Sequence, residues 1–210
     1  MAMTSDLSFA CDCGTVTGTM RVTSGEGDHV VCHCTDCQDL THHLGHAERL
    51  LDAHGGTALY QTRCARMRLD TGRDRLACLH LTDAPTLRWY AACCRTPLFN
   101  TFKNGKLPFI TILTATCDPA RREQVFGPPR GHLFTQDAIG DASQLPKMGT
   151  PTLMRRFFVR AIKDIVSGDR RKAALFDATT LEPIATPHRL TGEERAALEG
   201  RRTKAGPDPT

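Results

Sequence analysis

The sequence predicts a mainly β protein, built of antiparallel sheets, with a helical appendage at its C-terminal end. Short runs rich in β-branched and aromatic residues recur from residue 14 to residue 126, each closed by turn-forming residues. Cysteines gather in tight clusters through the first hundred residues. Near residue 140 the pattern changes, and apolar residues then recur at helical spacing.

Thr15 to Val22 and His29 to Cys32 read as two strands joined by the turn Ser24-Gly25-Glu26-Gly27-Asp28. Residues 38–45 form a short helical turn leading away from a cysteine cluster. Gly55-Gly56 marks a turn, and strands are expected after it at 57–61, 66–70, 75–82, 88–91, 109–115 and 124–126. Short strands at close intervals favour a mainly antiparallel β domain over residues 6–130. Residues 131–150 read as a polar linker. Thr150-Pro151 has the form of an N-cap followed by proline at the first helical position. Met154, Phe158, Ala161, Ile162 and Ile165 then form the expected apolar face of a helix that Gly168 stops. Its polar face would carry Arg155, Arg156, Arg160 and Lys163. Thr191-Gly192-Glu193-Glu194 has capping-box spacing and opens a second helix. The helical extension therefore spans 151–200, and residues 201–210 read as a disordered tail. There is no internal repeat.

At 210 residues the chain is long enough to bury a core without staples. Its 40% hydrophobic and 24% charged content is an ordinary globular balance. No run approaches the ~20 apolar residues of a membrane span. The N-terminus shows no basic region followed by an apolar stretch, so no secretory signal is read and a cytoplasmic location is expected. Thiols stay reduced there, and ten cysteines point to metal or redox chemistry more than to disulfides. The net charge of +4 is mild and its basic residues are dispersed, which does not point to nucleic acid. The oligomeric state is not legible.

The cysteines fall into Cys11-Asp12-Cys13-Gly14, Cys32-His33-Cys34-Thr35-Asp36-Cys37, and Cys93-Cys94. Closely spaced thiols can converge on one soft ion such as zinc. Cys11 and Cys13 need partners from elsewhere to close a tetrahedron, and Cys94 with Cys93 is the best supply. That site would be a structural crosslink. Cys32, Cys34 and Cys37 offer three thiolates and no obvious fourth donor. An open position of that kind is the usual mark of a catalytic zinc. His42, His43 and His46 are alternative closing donors, although exposed polar turns are the commoner role for such residues. His33 lies between two ligands and should point away from the metal. Cys64, Cys78 and Cys117 are isolated and read as core thiols.

These motifs resemble the family of glutathione-dependent formaldehyde-activating enzymes, which also includes centromere protein V. That family carries a CxCG, a CHCxxCQ and an aromatic-Cys-x-x-Cys-Gly-Thr-Pro-Leu segment. Here the second motif runs Cys32 to Gln38, and the third corresponds to Arg88 through Leu98. Ala91 and Arg95 stand where the family has cysteine and glycine, and Cys93 is the candidate replacement ligand. The third segment and the C-terminal helices resemble a bacterial branch of that family. The resemblance implies a β-tent fold over roughly residues 8–128, a structural zinc, and a second metal site beside a glutathione pocket.

The expected function is therefore a zinc protein, with one or two ions, that handles a small thiol such as glutathione and a small aldehyde by carbon–sulfur lyase chemistry. Cys32, Cys34 and Cys37 would hold the catalytic metal, and Arg88, Arg95 and Asn100 would grip the thiol's carboxylates or amides. Trp89 and Tyr90 are expected to pack the core. The alternative is a non-catalytic, zinc-stabilised binding module that docks a partner through the basic helix. A weaker third reading is zinc or redox sensing at the open site.

Overall fold

Alternation of apolar and polar residues sets each strand's inner face, as in Thr17–Thr23, where Met20 and Val22 point inward and Arg21 outward. The computed structural model describes residues 3–204. In chain order it contains β1 (Thr4–Ala10), β2 (Thr17–Thr23), β3 (Asp28–Cys32), α1 (Thr35–Leu44), α2 (Ala47–Leu50) and β4 (Thr57–Thr62). These are followed by β5 (Met67–Thr71), β6 (Leu76–His80), β7 (Thr86–Ala91), β8 (Pro97–Phe102) and β9 (Ile110–Leu113). The remaining elements are α3 (Arg122–Phe126), β10 (His132–Leu133), α4 (Thr150–Val166), β11 (His188–Arg189) and α5 (Gly192–Lys204). One sheet has the order β1-β2-β5, and the larger one β10-β3-β4-β9-β8-β7-β6-β11. The protein is mainly β, with helices toward its C-terminal end. The pairings are antiparallel except at the two rims, where β10 and β11 run parallel to their neighbours.

The two faces of the large sheet differ chemically. One row runs Tyr60, Ile112, Phe99, Trp89, Cys78 across β4, β9, β8, β7 and β6. It packs against Leu7, Phe9, Met20 and Val22 of the small sheet to form the main core. The next row faces the other way and is polar: Asp28, Gln61, Thr111, Asn100, Arg88, each the register partner of the next. All five are buried. Polar groups are rarely placed so deep unless something satisfies them.

Asp28 is satisfied by α4. Its carboxylate is fully buried, and Arg156 Nε and Arg160 Nη1 each lie 2.6 Å from one of its oxygens, with Arg130 Nε at 3.3 Å. Asp164, one turn further on, pairs with Arg63, which also binds Glu26 and Asp169. Between these ion pairs Phe157 sets its ring edgewise to Phe102 and Phe109, with centroids 5.9 and 5.8 Å away.

This corrects the expected facing of α4. Its buried residues are Phe157, Arg160, Ala161 and Asp164, while Met154, Phe158, Ile162 and Ile165 are exposed. Of the residues assigned to the apolar face, only Ala161 is buried, and two of the four assigned arginines and lysines turn inward to a carboxylate. Ion pairing with a buried acid outweighs the ordinary sorting by hydrophobicity.

Residues 124–126 are helical, in α3, where a strand was expected. The strands β1 and β8 were not anticipated. The helix N-cap is Gly149, one residue before the expected Thr150, and Gly168 adopts a left-handed φ of 73° at the helix end. The Thr191 capping box forms as expected, with Glu194 N–H 3.2 Å from Thr191 Oγ1 and Thr191 N–H 2.8 Å from Glu194 Oε2. Its helix runs to Lys204, and residues 205–210 of the expected tail lie outside the described residues. No described helix is long and apolar enough to cross a membrane.

Removing one partner from a buried ion cluster leaves uncompensated charge, which typically costs about 3–5 kcal/mol. Asp28→Asn should lower the unfolding free energy in urea by that order. An unchanged midpoint would show that the arginines are stabilised equally well by water.

Candidate functional site

The chain gathers seven of its ten free cysteines into two clusters. The first joins the turn after β1 to the turn between β7 and β8. Cys11, Cys13, Cys93 and Cys94 place all four sulfurs within 4.8 Å of one another. Cys11 Sγ lies 3.5 Å from Cys13 Sγ and 3.9 Å from Cys93 Sγ; Cys13 and Cys93 are 3.2 Å apart, and Cys93 and Cys94 3.9 Å. Four thiolates at ~2.3 Å from one tetrahedral zinc would stand roughly 3.8 Å apart. The adjacent pair is therefore close enough to the other two sulfurs for all four to share one ion. The Val16 N–H donates to Cys11 Sγ at 3.3 Å and favours charge there, and Cys13 Sγ lies 3.2 Å from Thr15 Oγ1. The Thr15 side chain and backbone, with Cys93, lower the Cys13 thiol to about 6.

The second cluster lies where β3 meets α1. Cys32 ends the strand, Cys34 is the helix N-cap and Cys37 sits in the first turn. The Cys32–Cys34 and Cys32–Cys37 sulfur separations are 3.4 and 3.6 Å. A helix N-terminus favours negative charge, and thiols placed there ionise more easily. Cys37 is held well below the usual thiol range by the Cys32 and Cys34 thiols and by the Arg88 cation, whose Nη1 is 3.7 Å from its sulfur. Cys32 is pushed upward by its hydrogen bonds with Cys34 and Cys37 and by burial. A metal ion among them would let all three be charged together, and the sulfur spacing in both clusters is compatible with one.

The clusters differ in what surrounds them. Cys32, Cys34 and Cys37 line a cavity of about 510 Å³, a volume within the range of small-molecule sites. The polar row supplies Gln61, Thr111, Asn100 and Arg88 to it. Leu153, Met154 and Phe157 of α4, Leu133 of β10 and Phe134 just after it enclose it. None of the four cysteines of the first cluster lines this cavity.

Arg88 and Asn100 thus stand beside the three-cysteine cluster. Arg88 is paired with Asp36 at 3.2 Å. Arg95 lies elsewhere: its Nη2 donates to the His43 carbonyl at 2.7 Å, and it does not line the cavity. Trp89 is fully buried, and its indole N–H donates to Thr101 Oγ1 at 2.9 Å. His33 turns away from the sulfurs, as its place between two cysteines requires. Its Nδ1 lies 3.0 Å from the His54 carbonyl and its Nε2 2.9 Å from His132 Nδ1. His46 is half-buried, 3.2 Å from the Cys94 carbonyl. Gln38 Nε2 donates to the His33 and Asp137 carbonyls at 2.6 and 2.9 Å, pinning the loop that closes the cavity. Gln61, Thr111 and Phe157 were not anticipated. For Gln61 and Thr111 the one sequence signal is a polar residue within a strand segment, and Phe157 has none.

A family model described as a family of unknown function, DUF6151, matches residues 3–184. The chain belongs to that family. The match extends through α4, so the helix over the cavity is part of the family's own unit. The matching family model is not that of the formaldehyde-activating enzymes, and that resemblance rests on the cysteine motifs alone. No curated protein matches. A crystal structure of a Rhodobacter sphaeroides protein is similar over 53% of this chain and 88% of that one, at 14% identity and a TM-score of 0.40.

Elemental analysis of protein purified without chelator should find about two soft divalent ions per chain. Cys13→Ser and Cys34→Ser should each remove about one. Full loading of both variants would show that the clusters are not the binding sites.

Proposed function

We propose that this is a zinc protein with one structural and one reactive centre, and that the reactive centre takes a small thiol. The observation that carries the reading is the difference in setting: four sulfurs converge away from the cavity, and three converge on its wall. Four thiolates would close a tetrahedron, whereas three leave a corner for an external donor. A zinc held by Cys32, Cys34 and Cys37 would supply a soft Lewis acid that favours the thiolate form of a visiting thiol. Arg88, anchored by Asp36, sets a fixed positive charge beside those sulfurs. The enclosing residues of α4 and of the loop after β10 limit water.

By the resemblance of the motifs, the chemistry is reversible addition of the thiol to a small aldehyde. The sulfur bonds to the carbonyl carbon and the thiol proton passes to the oxygen. The lyase direction breaks the same bond and returns the proton. Glutathione and formaldehyde are the pair that the resemblance suggests, in a reducing compartment such as the cytoplasm.

Thiol-dependent aldehyde consumption should fall at least a hundredfold in Cys34→Ser, with an unfolding midpoint close to that of the parent. Loss of the folded state in that variant would make the cluster structural. Unchanged turnover would remove the thiol site.

A further inference from the structure

We propose that the cavity selects an uncharged amphiphile, a molecule with one amide or hydroxyl on its head and an apolar tail, over a charged thiol. The inference deepens the proposed thiol site and relies on it only for the sulfur of the head group.

Charge disfavours a ligand that brings a carboxylate of its own. Arg88 is the single cationic side chain among the described residues that line the cavity, and it is already committed to Asp36 and Cys37. Asp36 and Asp137 add two carboxylates to the same lining. A ligand carboxylate remote from the sulfurs would meet no lining cation except Arg88, which Asp36 and Cys37 already share, and Asp137 adds a like charge to the same lining.

Unmet hydrogen bonds describe the head group. Asn100 is 3% exposed; its Nδ2 donates to Thr111 Oγ1 at 2.9 Å, but its Oδ1 has no partner. Arg88 Nε is also buried and without an acceptor. The two residues are register partners on adjacent strands. One acceptor and one donor side by side are satisfied together by an amide or a hydroxyl, each of which both donates and accepts. Leaving such groups unpaired is costly, which favours a ligand that answers both.

The remaining surface describes the tail. Val30 and Leu59 line the cavity between the polar row and Cys32, and Phe102, with Phe109 and Phe157 against it, lines it on the row's other side. At the mouth, Phe134 and Met154 line the cavity and are 52% and 40% exposed, so apolar surface continues outward. A tail that follows this path gains affinity with length, about fourfold per methylene.

The test is calorimetric titration of the zinc-loaded full chain with N-acetyl-, N-butanoyl- and N-hexanoylcysteamine, glutathione, and N-hexanoylethanolamine, the last carrying no thiol. Affinity should rise at least tenfold from acetyl to hexanoyl, and the hexanoyl compound should exceed glutathione at least tenfold. Asn100→Leu should weaken the acylcysteamines about tenfold while leaving plain hexanethiol unaffected. A flat chain-length series, or glutathione binding more tightly than the hexanoyl compound, overturns the inference and leaves the thiol site standing. If the thiol-free analogue binds as tightly as its thiol counterpart, with the chain-length trend intact, the inference stands and the thiol site falls. The series on the unaltered protein decides the matter even if the Asn100 variant does not fold.

Discussion

A carboxylate with no access to water has to be met by positive charge, and the position of Asp28 imposes that requirement on the whole second half of the chain. It stands at the β3 end of a polar row that crosses five strands. Two of its arginines come from α4 and the third from the segment before β10. Meeting that one charge therefore brings a helix from more than a hundred residues later over the sheet, and with it the apolar side chains that enclose the cavity. A sheet face left to itself would be solvent-exposed, and the three-cysteine cluster would be an open surface patch.

Much of the β architecture was legible because β-branched runs and turn residues report local backbone preference directly. Strands β2, β3, β4, β5, β6, β7 and β9 all fall within expected segments or close to them. Strand β8 was not legible: Pro97-Leu98-Phe99-Asn100-Thr101-Phe102 mixes a proline and a polar amide into an apolar run. The proline sits at the first strand position, where its missing N–H is tolerated. Asn100 is inside because its side chain belongs to the polar row. The facing of α4 was misread for a related reason. Hydrophobic periodicity assumes that charges seek water, and it has no knowledge of a buried acid waiting on another element. Arg156 and Arg160 are inside because of Asp28, 128 and 132 residues earlier in the chain.

The candidate site divides along the same line. The cysteines announce themselves by spacing, since donors one, two or three residues apart can share an ion wherever the rest of the fold goes. Gln61, Thr111 and Phe157 carry no such signal. They meet only through strand register and helix docking, which are long-range facts. Arg95 shows the converse error, a cation near the motif in sequence that points elsewhere in space.

Arg95 itself has a φ of 59°, the left-handed region. For a residue with a side chain that geometry costs roughly 1–2 kcal/mol. Its guanidinium contacts the His43 carbonyl in the last turn of α1. There a cation complements the helix dipole by about 0.3–1 kcal/mol, and the hydrogen bond adds about as much again. The two effects nearly cancel, so neither the turn nor the helix end is much favoured alone. What the arrangement secures is a strut: α1, about 15 Å of rigid backbone, is fastened at one end to the four-sulfur knuckle and carries Cys37 at the other. The turn that carries Cys93 and Cys94 and the helix that carries Cys37 are thereby joined by a direct contact.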